Sequence, residues 1–583
     1  MTEDPFAHLH DEDYAQAYAT RRATAATMIH MGGRARIPLD GPWHFTPDLF
    51  DEGLRQRWYR DPPTPPAEWT RPRDADLFGA DPLDVPSCWT MARPEWRHFE
   101  GGAWYARRFA WDGRTPRLVL RVGAANYEAR VFLNGTFLAS HRGGSTPFFV
   151  ELTEHVRHGE NHLLIQVDNR RRPDRVPMHH FDWFNHGGLY REVDLLPLPQ
   201  TFIRTLALRW QDGAIHAALT LSDPISCPAR LDIPALNLAA EIAIAEGHGE
   251  VRVAATPHLW SPETPRLYDV QASCGEDRVT DRVGFRTIAA RGEQILLNEA
   301  PIYLRGVCVH EDDDELGKTV TEADLRRRVA DAKALGCNAL RLAHYPHHER
   351  MAELADEAGL LLWSEIPVYW AVAFDDPETY ADAENQLLEL IARDRNRASV
   401  ILWGVGNENA DTDARYGFMS RLAETARAAD GTRLITAACL INRERFAIED
   451  RLAAHLDVVG INEYFGWYEP DLAGLDRLLA NSRPGKPVVI SETGADALAG
   501  LHGDERQLFT EEAQAAIYRG QIARISPVSY VRGLFPWLLY DFRSERRQTG
   551  YQRGYNLKGL IGNDKRTRKL AFETLRRFYL ASD

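Results

Sequence analysis

Apolar and polar positions change rhythm twice along the chain. From Leu39 to about Pro199, short segments such as Arg117 to Val122, Ala129 to Leu133 and His162 to Val167 are separated by turn residues. Asn134-Gly135 between two of them is a two-residue hairpin signal. This spacing predicts an all-β sandwich of jelly-roll type. From about 200 to 288 the strands stay short: Leu206 to Trp210, Ile215 to Leu219, Val251 to Val253 and Tyr268 to Ala272. Their number and size fit a small immunoglobulin-like sandwich. After about 289, apolar β segments alternate with helical stretches such as Glu322 to Leu335 and Ala381 to Arg397. Eight candidate strands begin near Ile302, Cys337, Leu360, Val400, Leu434, Val458, Val488 and Val531. Eight strand–helix units predict a (β/α)₈ TIM barrel, with the active site at the C-terminal ends of its strands. The predicted class is thus multidomain, β plus α/β. Its parts are a jelly-roll sandwich over 1–199, whose residues up to about 35 form a loose arm, an immunoglobulin-like sandwich over 200–288 and a barrel over 289–583.

Two of the barrel's predicted strands share one design. Val400-Ile401-Leu402-Trp403-Gly404-Val405-Gly406 runs into Asn407-Glu408, and Pro487-Val488-Val489-Ile490-Ser491 runs into Glu492. An unbroken apolar run reads as a strand buried on both faces. Two parallel strands ending in Glu aim two carboxyl groups at one point. Glycoside hydrolysis needs such a pair, one group to protonate the leaving oxygen and one for the anomeric carbon. Other strand ends carry Arg341, His344, Glu365, Asn462, Tyr464 and Trp537, a concentration that a solvated rim does not need.

Composition narrows this picture rather than changing it. The 583 residues carry a net charge of −15, from 84 acidic and 69 basic side chains, which argues against a general nucleic-acid partner. Six scattered cysteines form no zinc or redox spacing and read as buried thiols. Met1 to Tyr18 lacks the basic head and apolar core of a signal peptide, and no run of about 18 apolar residues occurs. A cytoplasmic protein with no membrane partner is expected. The loop Met178 to Gly188 is too rich in His, Asp and aromatic residues for a simple turn and reads as functional. Its three histidines have no supporting carboxylate or thiol cluster, so no metal and no cofactor is expected.

Gly406-Asn407-Glu408, Ser491-Glu492-Thr493-Gly494-Ala495-Asp496, Ile461-Asn462-Glu463-Tyr464, Leu304-Arg305-Gly306-Val307 and Tyr127 to Gly135 together resemble glycoside hydrolase family 2 over nearly the whole chain. Asn556-Leu557-Lys558-Gly559 is similar to the Asn-x-Lys-Gly pattern of its β-glucuronidase branch, which binds the sugar's C6 carboxylate. The resemblance implies a retaining exo-β-glycosidase acting on terminal β-D-glucuronides. Glu492 would be the nucleophile and Glu408 the acid/base. Tyr464 would support Glu492, Asn407 would bond the 2-hydroxyl, Trp537 would lie under the ring, and Asp182 and His344 would bond other hydroxyls. Asn556 and Lys558 would take the carboxylate. The substrate partner would be a small-molecule or oligosaccharide β-glycoside, and a homo-oligomer is expected. Two departures stand out. Thr493 replaces an aromatic residue after the nucleophile, and the arginine that precedes the Asn-x-Lys pattern appears as Arg553, displaced by about one position. The loop Asp541-Phe542-Arg543-Ser544-Glu545-Arg546-Arg547 is also unusually basic. Rival readings are a β-galacturonidase or β-galactosidase on the same scaffold and, more distantly, a carbohydrate-binding protein without activity. Glu365 and Glu463 read as structural carboxylates beside the site.

Overall fold

A computed structural model describes residues 21–60 and 75–581. The first 20 residues, on which the signal-peptide reading rests, lie outside them. Two facing sheets form the first sandwich. One has six strands, with Gly41–Asp48, Gly102–Trp111, Gly159–Asp168 and Glu128–Leu133 at its centre, and the other has four. Leu120, Val131, Leu163 and Ile165 fill the space between. Asn134 and Gly135 both take positive φ, 50° and 84°, so the two-residue turn matches the twist of the strands it joins. The second sandwich packs a three-stranded sheet against a four-stranded one. Its neighbouring strands bring Cys227 and Cys274 together, Sγ to Sγ 2.8 Å, and Cys227 is only half-buried.

The predicted loose arm is corrected from Arg21 onward. Met28 and Ile29 are buried against Phe149, Leu196, Leu198 and Phe202. Arg34 reaches Asp277 of the second sandwich at 2.9 Å. The apolar pair therefore straps the segment across both sandwiches.

The third part is a closed parallel barrel. Leu304–Arg305 pairs with Val531–Pro536, while Cys308–Val309, two residues further along the same strand, pairs with Ala339–Leu342. The intervening strands are Leu361–Glu365, Val400–Asn407, Leu434–Cys439, Val458–Asn462 and Val488–Thr493, in sequence order around the sheet. Both faces are buried, which explains the absence of alternation. Leu361, Trp363, Leu402 and Leu434 point into the barrel, and Leu362, Val400, Trp403 and Ile435 meet the helices outside. Each such side chain contributes roughly 1.5–3 kcal/mol on burial. The expected eight helices are incomplete: after Leu434–Cys439 only a 3₁₀ turn, Arg451–Ala454, follows. Its segment, Leu440 to Asp457, has three arginines and four acidic residues and little apolar stripe.

Helix starts are capped as their sequences require. Thr321 and Asp324 form a reciprocal capping box, and Thr412 and Thr510 accept from the third helical backbone N–H. Caps at these ends fix where these helices begin and so where the loops from the strand ends finish.

Candidate active site

The fourth barrel strand stays fully buried from Val400 to Asn407. Gly404 is required there, because a Cβ would lie 2.5 Å from Trp363 Nε1 and 2.6 Å from Glu365 Cβ. The chain then turns at Glu408, whose φ of 52° is a left-handed conformation that only surrounding structure sustains in a glutamate. Glu408 N–H donates to Ala438 of the next strand at 2.8 Å. The loop after the third strand is tied to Asn407 by Trp370 N→Asn407 O at 2.8 Å and Asn407 N→Val368 O at 2.9 Å. This brings Trp370 Nε1 to 2.7 Å from Glu408 Oε2, while Asn462 Nδ2 donates to Oε1 at 3.0 Å.

Glu492, at the end of the seventh strand, accepts from Arg341 at 2.8 Å on Oε1 and from Tyr464 Oη at 2.7 Å on Oε2. Burial pushes its carboxyl up, Glu408's charge adds to this, and Arg341, His344 and Tyr464 pull it back. The two carboxyl groups are linked through their donors, since Arg341 on Glu492 and Asn462 on Glu408 both also donate to Asn407 Oδ1. Arg341, fully buried, also donates to both oxygens of Glu365 at 3.0 Å and to Asn407 Oδ1 at 2.8 Å. Burial would lift Glu365, but Arg341 and the 2.8 Å bond to His344 Nδ1 hold it below the usual carboxylate range. Glu365 is thus the permanent counter-charge of Arg341, leaving one guanidinium edge for Glu492.

Asn407 Oδ1 is taken by Arg341 and Asn462, and its Nδ2 is buried without a partner among the described residues. A buried amide with a spare donor is ready for a ligand hydroxyl. Trp537 lies on His344, ring centroids 4.9 Å apart and 19° from parallel. Loop 178–188 enters the barrel mouth, where Trp183 packs on His310, His344, Tyr345 and Tyr369. Among the described residues no group of three or more His, Cys, Asp or Glu side chains converges as a metal centre.

Lys558 is buried near the ring of Tyr464, the residue whose hydroxyl bonds Glu492. Its ammonium donates to Asp496 at 2.7 Å and to Tyr468 Oη at 3.0 Å, and it lies 5.8 Å from the Tyr464 ring centroid. Burial alone would lower it, but Asp496 raises it, so it stays charged. An ammonium has three donors, and two are used. Asn556 is buried beside it and accepts from Lys558 N–H at 3.2 Å.

Two predicted residues are placed differently from expectation. Arg553 is exposed, in a left-handed turn (φ 47°), with its Nε on the Gly550 carbonyl at 3.0 Å, and does not enter the site. The cation that does enter is Arg547, which donates to Tyr468 Oη at 3.0 Å and pairs with Asp182. Asp182 also accepts from Ser544, so its two oxygens are engaged by the basic loop rather than left open. Arg341, Asn462, Trp370, Tyr468, Asp496 and Arg547 complete the site. Arg341 and Asn462 are visible as strand ends, and Arg547 as part of the unusually basic loop. Trp370 carries no local signal of its position.

Glu463, next to Tyr464, faces away from the site. Burial pushes it up to about 7, and its Oε1 has no partner among the described residues. A carboxyl raised on folding gives stability that is fully present below its unfolded value of 4.5 and is lost as pH rises through about 7. Glu463→Gln is therefore expected to flatten the decline in unfolding free energy across that window, by up to about 1.4 kcal/mol per pH unit. Parallel urea-unfolding profiles of variant and parent from pH 5 to 8 would refute this.

Residues 288–581 match the Glycosyl hydrolases family 2, TIM barrel domain, residues 37–199 match that family's sugar binding domain, and residues 229–286 match a third family 2 segment. The chain is 28% identical over 566 residues to the β-glucuronidase of Paenibacillus borealis, covering 87% of this chain and 91% of that protein. It is 28% identical over 613 residues to the Homo sapiens β-glucuronidase, covering 93% and 90%. Among solved structures, an uncultured Clostridium β-glucuronidase superposes with a TM-score of 0.83 at 28% identity, over 95% of this chain and 99% of that one. A β-galacturonidase from Eisenbergiella tayi bound to galacturonate does so with 0.81 at 25%, over 95% and 99%. With a matching barrel over half its length, matching sandwich segments and a carboxyl pair at the strand ends, the chain belongs to glycoside hydrolase family 2 and is a glycoside hydrolase.

Proposed function

We propose that the protein is a retaining exo-β-glycosidase that removes terminal β-D-glucuronic acid by double displacement. Glu492 attacks the anomeric carbon and displaces the aglycone, whose oxygen takes the proton of Glu408. The glycosyl ester is then hydrolysed by a water that Glu408 deprotonates. Retention requires carboxyl groups about 5–5.5 Å apart. Asn462 bonded to Glu408 and Arg341 bonded to Glu492, both also on Asn407 Oδ1, support that closeness. Asn407 Nδ2 is available for the sugar's 2-hydroxyl, a contact that strengthens as the oxocarbenium ion develops. Trp537, stacked on His344, offers a flat face to the sugar ring.

The observation that carries the uronic-acid reading is the buried, charged Lys558 with one unspent donor, a single ring from the tyrosine that holds Glu492. A C6 carboxylate losing its water needs such a partner. The β-glucuronidases among the similar proteins support the same substrate, and the similar β-galacturonidase supports the C4 epimer as the alternative. Rates on the nitrophenyl β-glucuronide, galacturonide and galactoside separate the three. Dominance of the galactoside would overturn the reading, and dominance of the galacturonide would change the epimer.

Lys558→Ala is expected to lower kcat/KM for the glucuronide at least about tenfold, since a charge-assisted bond is worth roughly 1.5–3 kcal/mol. It also strands Asp496 in a buried place, which destabilises by about 3–5 kcal/mol when one partner of a buried pair is lost. The double variant Lys558→Gln/Asp496→Asn removes the cation without the stranded charge. Equal losses on glucuronide and galactoside in both variants would make Lys558 structural.

A further inference from the structure

The basic loop after the eighth strand spans the mouth of the barrel. Phe542 and Arg543 pair with Asn556 and Tyr555 in a short antiparallel ribbon, which ties this loop to the Asn-x-Lys segment. Arg543 is anchored by the Asp313 carbonyl at 2.6 Å, and its backbone N–H by Asp312 at 3.0 Å. Arg547 is held by Asp182 and Tyr468. Arg546, between them, is different. Its guanidinium carbon lies 4.4 Å from the centroid of Trp370, and it makes no hydrogen bond or ion pair among the described residues, while remaining exposed.

Trp370 is the residue whose indole N–H holds Glu408 at 2.7 Å. If Glu408 is the acid, as proposed above, its proton goes to the glycosidic oxygen, the atom that joins sugar to aglycone. The aglycone's first atoms must then lie along the Glu408–Trp370 edge. Lys558 and Tyr468 instead bond each other and lie against Tyr464. Tyr369 covers Trp370, with ring centroids 4.6 Å apart, and Arg546 stacks on it as well, so little of the indole is open as a platform. What the subsite offers is the guanidinium itself, planar, pre-oriented by stacking, with its N–H donors unspent.

We propose that Arg546 on Trp370 forms an aglycone subsite that selects leaving groups bearing an oxyanion, such as a carboxylate or sulfate. Planar guanidinium donors match such groups bidentately. The chain's net charge of −15 repels anionic substrates at a distance, so a local cation at the mouth matters more here than on a neutral protein. The neighbouring acid Glu545 does not cancel it, being bonded to His98 at 2.9 Å and near Arg171 at 3.6 Å.

The test is a series of neutral aryl glucuronides of graded leaving-group acidity, with carboxylated and sulfated aryl members placed on the same line. The acidic members are expected to lie above the line in kcat/KM by up to about fivefold, the upper end for an exposed charge pair. The excess should reside in KM and shrink at about 0.5 M salt. Arg546→Gln should remove it and Arg546→Lys should keep part of it, with thermal unfolding of each variant checking the fold. Acidic members falling on or below the line, or Arg546→Gln lowering acidic and neutral members by one factor, would overturn the proposal. A carboxylate excess without a sulfate excess narrows the selected group to the carboxylate. Failure of the wild-type enzyme to turn over any neutral glucuronide would instead refute the uronidase reading. The same comparison is then made on the sugar that is hydrolysed.

Discussion

Glu492→Ala is expected to reduce turnover by roughly 10⁴-fold or more, the scale seen when a hydrolase loses its nucleophile. The fold should survive. Arg341 keeps both oxygens of Glu365 and the Ser491 carbonyl at 3.1 Å, so its charge is not stranded. Tyr464 loses its acceptor, but it is only partly buried and water replaces the carboxylate. Burial pushes Glu492 up, while the Arg341 and Tyr464 bonds favour the anion that attack requires. A 2-fluoro uronosyl fluoride should inactivate the parent enzyme by forming a stable ester on Glu492, located by peptide mass spectrometry. A label on Glu408, Glu365 or Glu463 would refute the assignment.

Glu408→Ala has the second largest expected effect, because positioned proton transfer contributes typically about 10²–10⁴-fold. The loss should grow as the leaving group becomes more basic. An activated nitrophenyl aglycone leaves without help, whereas an alkyl alcohol needs the proton. Trp370 and Asn462, which hold the carboxyl at 2.7 and 3.0 Å, remain after truncation, so the vacated space keeps two donors. Azide fits there and should restore turnover of an activated substrate, giving the β-glycosyl azide. Equal losses on good and poor leaving groups, with no azide rescue, would remove Glu408 from the acid/base role.

The barrel was legible because its signal is local. Eight apolar runs, each bounded by turn residues and followed by a helical or polar stretch, predict eight strands, and the strands at Val400–Asn407 and Val488–Thr493 begin where their first β-branched residue stands. The regularity of the other seven units predicts a fifth helix, but the segment there lacks a continuous apolar stripe and forms only a 3₁₀ turn. The arm was under-read for the opposite reason. Met28 and Ile29 are two apolar residues in a polar stretch, too few to show a period, and their value lies in the partners that other strands supply.

Within the site the division follows the same physics. Glu408, Asn407, Glu492 and Tyr464 stand at strand ends, so period and position alone place them at one rim and pair the carboxyl groups of Glu408 and Glu492 there. Residue order alone also puts a lysine after the eighth strand. Which charges are already spent emerges only from the folded chain. Arg341 divides itself between Glu365 and Glu492, Asp182 is taken by Ser544 and Arg547, Arg553 turns outward, and Arg546 alone of the loop's arginines keeps its donors. These pairings join residues from 24 to 365 positions apart. A strand's period fixes a side chain's face within a few residues, whereas a charge's partner depends on how separate loops cross, and only the closed barrel brings those loops together.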